Sequence, residues 1–128
     1  MIILNDNLFS DETFYFIETK NEIENSPHNS TIIFNYNDKE LETYKFCKKN
    51  NIEYGVIISS IREFIFLINL NCKYVLCKNL ELAKELQNLA DNYLTETKII
   101  LICKNFDNIE IIAKNQIDGI IKLELKGK

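Results

Sequence analysis

The chain reads as a single α/β domain with a mainly parallel, three-layer sheet of five or six strands and helices on both faces, flavodoxin-like in architecture. Three observations point there. The first is a near-repeat, in which Tyr74-Val75-Leu76-Cys77-Lys78-Asn79-Leu80 is echoed by Ile100-Leu101-Ile102-Cys103-Lys104-Asn105-Phe106, twenty-six residues on. Each copy is an apolar strand with a polar tip, and a helical pattern lies between them. The second is a regular alternation, from residue 31 onward, of β-branched or aromatic runs with stretches of helical spacing. The third is the shortness of the links, which suits helix-connected parallel neighbours better than hairpins.

Residues 31–36 are the first regular strand, and residues 38–50 carry Leu41, Tyr44, Phe46 and Cys47 at roughly helical spacing. A strand over 54–58 follows. Ser60 then stands as an N-cap before a helix with Ile61, Phe64, Ile65 and Ile68 on one face. Phe66, Leu67 and Leu70 fall outside that stripe, and a helix apolar nearly all round is buried in a larger core or against a partner. The Phe66 region is therefore the expected surface for a homodimer or another protein partner. Residues 73–77 form the next strand, and Asn79 is the candidate cap of the clearest helix, whose stripe is Leu82, Ala83, Leu86, Leu89, Ala90 and Tyr93. A strand over 97–103, a short helix over 108–115 and a strand over 118–123 complete the pattern.

Residues 1–30 fit the rhythm less well. Residues 13–17 have strand character, favoured over a helix that Ser10-Asp11-Glu12 would start and that would run to residue 24. The loop 25–30 holds the chain's one proline, Pro27, and its one histidine, His28. It separates an irregular N-terminal segment, 1–30, from the regular βα repeats of 31–128 within one domain.

Composition narrows function mainly by exclusion. At 128 residues and 46% hydrophobic, one core that buries about 65% of the unfolded surface is expected. Cys47, Cys72, Cys77 and Cys103 show no C-x-x-C spacing, and His28 alone completes no Cys/His zinc set, so no metal and no cofactor is expected. Reduced thiols, no leader-like start and apolar runs of about five residues point to a cytoplasmic protein and away from a membrane. The net charge of -4 and scattered lysines argue against nucleic acid. Three glycines cannot build a dinucleotide fingerprint or a P-loop, both of which need glycines where the backbone meets phosphate. The wealth of isoleucine, asparagine and lysine is typical of AT-rich bacterial genomes, and Arg62 is the only arginine.

The leading ligand candidates are Ser59, Ser60 and Arg62, at a strand-to-helix junction. Free N–H groups and the helix dipole favour an anion there, hydroxyls can donate, and a guanidinium can grip phosphate or carboxylate. The alternative reading of the same residues is a helix cap and a surface ion pair. Lys78 and Lys104, at the repeated tips, are candidate bases or Schiff-base amines, with solvated strand-end lysines as the plainer reading. Alternation buries Cys77 and Cys103 under a covering helix as small hydrophobes. Asp38 and Glu40, with Asn35 and Asn37 beside them, could hold a magnesium ion at the sheet edge, with acids of a first helical turn as the plainer reading.

The ending Ile117-Asp118-Gly119-Ile120-Ile121 and the βα rhythm resemble a fragment of a (β/α)8-barrel enzyme. Ser60-Ile61-Arg62-Glu63-Phe64 followed by Cys72-Lys73-Tyr74-Val75 is similar to the later βα units of small phosphate-handling aldolases, although no aldolase lysine motif aligns and that activity is not carried over. The chain also resembles response-regulator receiver domains in size and rhythm, with Met1-Ile2-Ile3-Leu4-Asn5-Asp6 similar to their acidic first-strand end. Ser59 stands where that family carries its phospho-accepting aspartate, so this resemblance implies a degenerate, receiver-like interaction module. The expectation is thus a non-catalytic α/β module that binds a protein partner or a small acidic ligand. The alternative is a small enzyme acting on a phosphorylated or carboxylated metabolite, with Arg62 and Ser60 holding the anion and Lys78 or Lys104 as base.

Overall fold

The structure is a computed structural model that describes residues 1–27 and 29–123; His28 lies outside them. Seven strands, all parallel, form one curled sheet in the order β1-β7-β6-β5-β4-β3-β2. They are β1 (Ile2–Leu4), β2 (Thr13–Phe16), β3 (Ser30–Asn35), β4 (Tyr54–Ile57), β5 (Tyr74–Cys77), β6 (Lys98–Cys103) and β7 (Gly119–Lys122). Four helices, α1 (Leu41–Lys49), α2 (Ile61–Ile68), α3 (Leu80–Tyr93) and α4 (Ile109–Lys114), link β3 through β7, with 3-10 turns at Lys20–Asn25 and Asp38–Glu40. The expected strand count of five or six is corrected to seven. The N-terminal segment supplies both edge strands, and Ile2–Leu4 is too short to register as an alternating run.

The arrangement of helices is corrected as well. Each crossover from β2 to β7 moves one strand in the same direction, and right-handed connections then put every helix on one face. The buried residues agree. Tyr44 and Cys47 of α1, Phe64 and Leu67 of α2, Ala83, Leu86 and Ala90 of α3 and Ile112 of α4 join one core cluster with Val56, Val75, Ile99 and Ile120 of the strands. The opposite face carries a second cluster of strand residues alone: Leu4, Ile33, Ile57, Tyr74, Leu76, Ile100 and Ile121. A doubly wound sheet reverses its strand order to place helices on both sides, whereas consecutive order is the order of (β/α)8 barrels.

With no helix over it, the inner face is buried by the curl of the sheet itself. Close approach there leaves no room for side chains at two positions. A Cβ on Gly119 would lie 2.6 Å from the Ile2 carbonyl oxygen, and one on Gly55 would lie 2.9 Å from Ile33 Cδ1 and 3.1 Å from Leu76 Cδ1. Both glycines therefore serve packing between strands. Left-handed backbone occurs instead at Asn5, Asn29, Asn51 and Asn71, whose short polar side chain tolerates that region, and at Leu94 and Gln116 just past α3 and α4.

Several sequence expectations hold in detail. Residues 13–17 do contain a strand, Thr13–Phe16, and Asn79 caps α3, its side chain accepting from Leu82 N at 3.0 Å. The inner stripe of α2 is rotated from the expected one, because the helix buries Phe64 and Leu67 and leaves Ile65 45% exposed. Tyr93, expected in the α3 stripe, is exposed. The near-repeat pairs β5 with β6 as adjacent strands, but Cys77 stands opposite Leu101, two residues before Cys103. The two tips are thus neighbours staggered by two residues, about 7 Å along the strand.

The helix-free link from β1 to β2 is tied down at both ends. Asn5 Nδ2 donates to the Lys122 carbonyl at 2.9 Å, and Phe9 meets Phe106 edge-on with ring centroids 6.2 Å apart. At the far end Glu12 accepts from Tyr74 OH at 2.6 Å, Lys73 Nζ at 3.0 Å and the Thr31 hydroxyl. Burial alone would raise the Glu12 carboxyl, but these donors and the Lys73 charge outweigh it and hold it below its ordinary value of 4.5. A depressed carboxylate stabilises the fold above the unfolded pKa and loses that contribution as the pH falls through the folded one. Chemical denaturation from pH 7 to pH 3 should therefore show stability falling below about pH 4.5, with a shallower acid limb in Glu12→Gln. An unchanged acid limb in Glu12→Gln would remove this network from the account.

Candidate functional site

In an all-parallel sheet every strand ends on the same edge, where the following helices begin. Three concavities among the described residues occupy that edge, one of them, of about 600 Å³, over the ends of β1 and β7 and lined by Lys104, Lys122 and Asp6. A cleft of about 620 Å³ lies over the ends of β3, β4 and β5, lined by Asn35, Tyr36, Ser59 and Lys78 together with the carboxylates of Glu63, Glu81 and Glu85. A groove of about 530 Å³ lies over the end of β6, between the start of α3 and α4. Its polar side is Lys78, Lys104, Asn105 and Asn108, and its apolar side includes Leu80, Ile102 and Ile111.

The Ser59–Arg62 junction forms as the sequence implies, but its groups have partners. Ser60 Oγ accepts from Glu63 N at 3.3 Å and caps α2, while Glu63 Oε1 accepts from Ser59 N at 3.1 Å. The carboxylate of Glu63 thus sits at the helix start, where an anion would be expected. Arg62 Nη1 donates to Asp38 Oδ1 at 3.4 Å, and the guanidinium lies 4.7 Å above the Phe66 ring. Both side chains of that pair are 62% exposed. Ser59 lines the cleft; Ser60 and Arg62 line neither it nor the groove.

Electrostatics at this end of β3 follow from the same contacts. Tyr36 OH donates to Asp38 at 2.7 Å. This hydrogen bond first, and then Arg62, hold the Asp38 carboxyl below its ordinary value. Burial, followed by the hydrogen bond to Asp38, pushes the Tyr36 hydroxyl up to about 12. Glu40 accepts from the Thr43 hydroxyl at 2.6 Å, an interaction within its own helical region.

Lys78 and Lys104, unlike Arg62, line a shared groove and make no ion pair among the described residues. The next lysine along the edge, Lys122, is engaged, 3.6 Å from Asp6 and 5.3 Å from the Phe106 ring centroid. The thiols beneath the tips are free cysteines, Cys77 buried and Cys103 partly so. Burial pushes Cys47 and Cys77 up to about 11 and also raises Cys72 and Cys103. A thiol raised in this way is a poor nucleophile at neutral pH. Sequence reasoning did not single out Asn105, Asn108 or Ile111, which line the groove. The signal available was their position just after the second tip, where a strand end meets the next helix.

Among the described residues no three His, Cys, Asp or Glu side chains converge in a way that could hold a metal ion, and no helix is long and apolar enough to cross a membrane. No family model matches the chain, and no curated protein matches it.

The two serine-arginine roles separate by mutation. Ser60→Ala should cost about 1 kcal/mol in urea denaturation, the usual loss for a helix cap. Arg62→Ala should leave the midpoint within error, because its exposed pair with Asp38 is screened by water. A larger loss from Arg62→Ala than from Ser60→Ala would contradict these assignments.

Proposed function

We propose that this protein is a non-catalytic binding module that takes a small anionic ligand in the groove over the end of β6, held by Lys78 and Lys104. The observation that carries the reading is the juxtaposition of two lysines, one from each copy of the repeat, on one groove that no carboxylate lines among the described residues. Two cations facing a concavity that no described carboxylate lines lower the cost of bringing an anion there. The earlier candidates offer less, since Ser59 N already bonds a carboxylate and Arg62 already pairs with one.

The same geometry favours a module over the alternative enzyme. An enzyme of the expected kind needs Arg62 to hold the substrate beside a lysine base. Arg62 shares neither the groove nor the cleft with Lys78. Convergence of catalytic groups on one reacting centre is the minimum that such chemistry requires.

A thermal-shift screen against phosphate, sulfate, sugar phosphates and small carboxylates tests the proposal. A ligand at about 100 times its dissociation constant should stabilise the fold by roughly 2.7 kcal/mol. The shift should persist in Arg62→Ala and shrink in both Lys78→Ala and Lys104→Ala. Loss of the shift in Arg62→Ala alone would return the site to the α2 start. No shift with any anion would leave a protein partner as the working account.

A further inference from the structure

Resting on the anion-binding reading, we infer that the ligand of the β6 groove is a free aliphatic monocarboxylate, an acid with a short apolar body, and not a phosphate ester or a polyanion. The groove is divided chemically. Lys78, Lys104, Asn105 and Asn108 give its lining two cations and two amides able to meet a carboxylate. The rest of the lining is mostly aliphatic: Leu80, Leu101, Ile102, Ile111 and Ile112.

Ile111 is the informative residue on the apolar side. It projects from α4 with 54% of its surface in water while its neighbour Ile112 is 3% exposed in the core. A large aliphatic side chain exposed on the wall of a groove gains from any apolar body that covers it, whereas a phosphate would leave it wet. The neighbouring cleft argues in the same direction. Lys78 lines both concavities, and on the cleft side its companions include Glu63, Glu81 and Glu85. That negative charge penalises each added charge on a ligand next door, so a single carboxylate is favoured over a doubly charged phosphate.

The stagger of the repeat contributes the spacing. Because Cys77 pairs with Leu101, Lys104 stands two residues farther along its strand than Lys78 stands along its own. The two lysines therefore reach the groove from backbone positions about 7 Å apart along the strand direction. One carboxylate with two oxygens can engage both while its apolar body covers the exposed Ile111 on the helix side of the groove.

The test is an NMR or calorimetric titration of the whole protein with acetate, butyrate and hexanoate, beside inorganic phosphate and neutral hexanol. Affinity should rise about three- to fourfold per added methylene, the gain expected for burying a CH₂ group. Lys104→Ala should weaken the whole carboxylate series at least tenfold, as loss of a charge-assisted hydrogen bond does. Ile111→Ser, at an exposed position, should flatten the dependence on chain length, weakening hexanoate far more than acetate. Phosphate binding tighter than every carboxylate and insensitive to Ile111→Ser would overturn the ligand class while leaving the anion site standing. No binding of any anion by protein that circular dichroism shows to be folded would overturn both. Carboxylate binding unaffected by Lys104→Ala, or hexanol binding as tightly as hexanoate, would also defeat the inference.

Discussion

The inner face of the sheet is apolar, and among the described residues no helix covers it. Leu4, Ile33, Ile57, Leu76, Ile100 and Ile121 come from six different strands, yet they form one buried cluster with Tyr74. Each such aliphatic side chain contributes about 1.5–3 kcal/mol when it leaves water, and only the curl of the sheet can remove it. Other features follow from that constraint. Gly119 lets the Ile2 backbone approach, Gly55 makes room for Ile33 and Leu76, and the link from β1 to β2 is fixed at both ends. Glu12 completes the arrangement by joining that link to Tyr74, a member of the inner cluster.

Consecutive strand order also decides where a ligand can sit. A doubly wound sheet binds at the crevice where its strand order reverses. This sheet has no reversal, so no one position along its edge is singled out by topology. Position depends instead on what each strand carries at its tip. On β3 and β4 the tips are tied into local contacts: Tyr36 to Asp38, and Ser59 to Glu63. On β7, Lys122 is held by Asp6. Lys78 and Lys104 remain available on β5 and β6, and the groove between them is where binding chemistry is least used up by the fold.

Much of the architecture was legible in the sequence because most elements are buried on both sides or capped by recognisable residues. The repeat announced β5, α3 and β6 as neighbours, and Ser60 and Asn79 marked helix starts through their capping chemistry. What periodicity could not supply was the layering. Strands in this sheet are apolar on both faces whether the second face meets helices or its own curvature, so Tyr74-Val75-Leu76-Cys77 reads the same in either case. Three-residue β1 fell below the length at which alternation carries information. The α2 face was misjudged by one position because nearly every residue of Ile61–Ile68 is apolar, leaving Leu67 and Ile65 indistinguishable by composition. The site was half legible: the tip lysines were visible, but the partners that occupy Arg62 and the amino end of α2 are long-range or geometric and left no mark in local sequence.

The central claim is that the strands follow one another around a singly wound, curled sheet with β1 closing against β7. Cross-strand nuclear Overhauser effects among backbone protons test it most directly. The account predicts parallel contacts of β1 with β7 in the register Ile2 with Gly119, Ile3 with Ile120 and Leu4 with Ile121, and none between β1 and β3. Contacts placing β1 between β2 and β3, the order of a doubly wound sheet, would contradict it and would move helices onto the inner face.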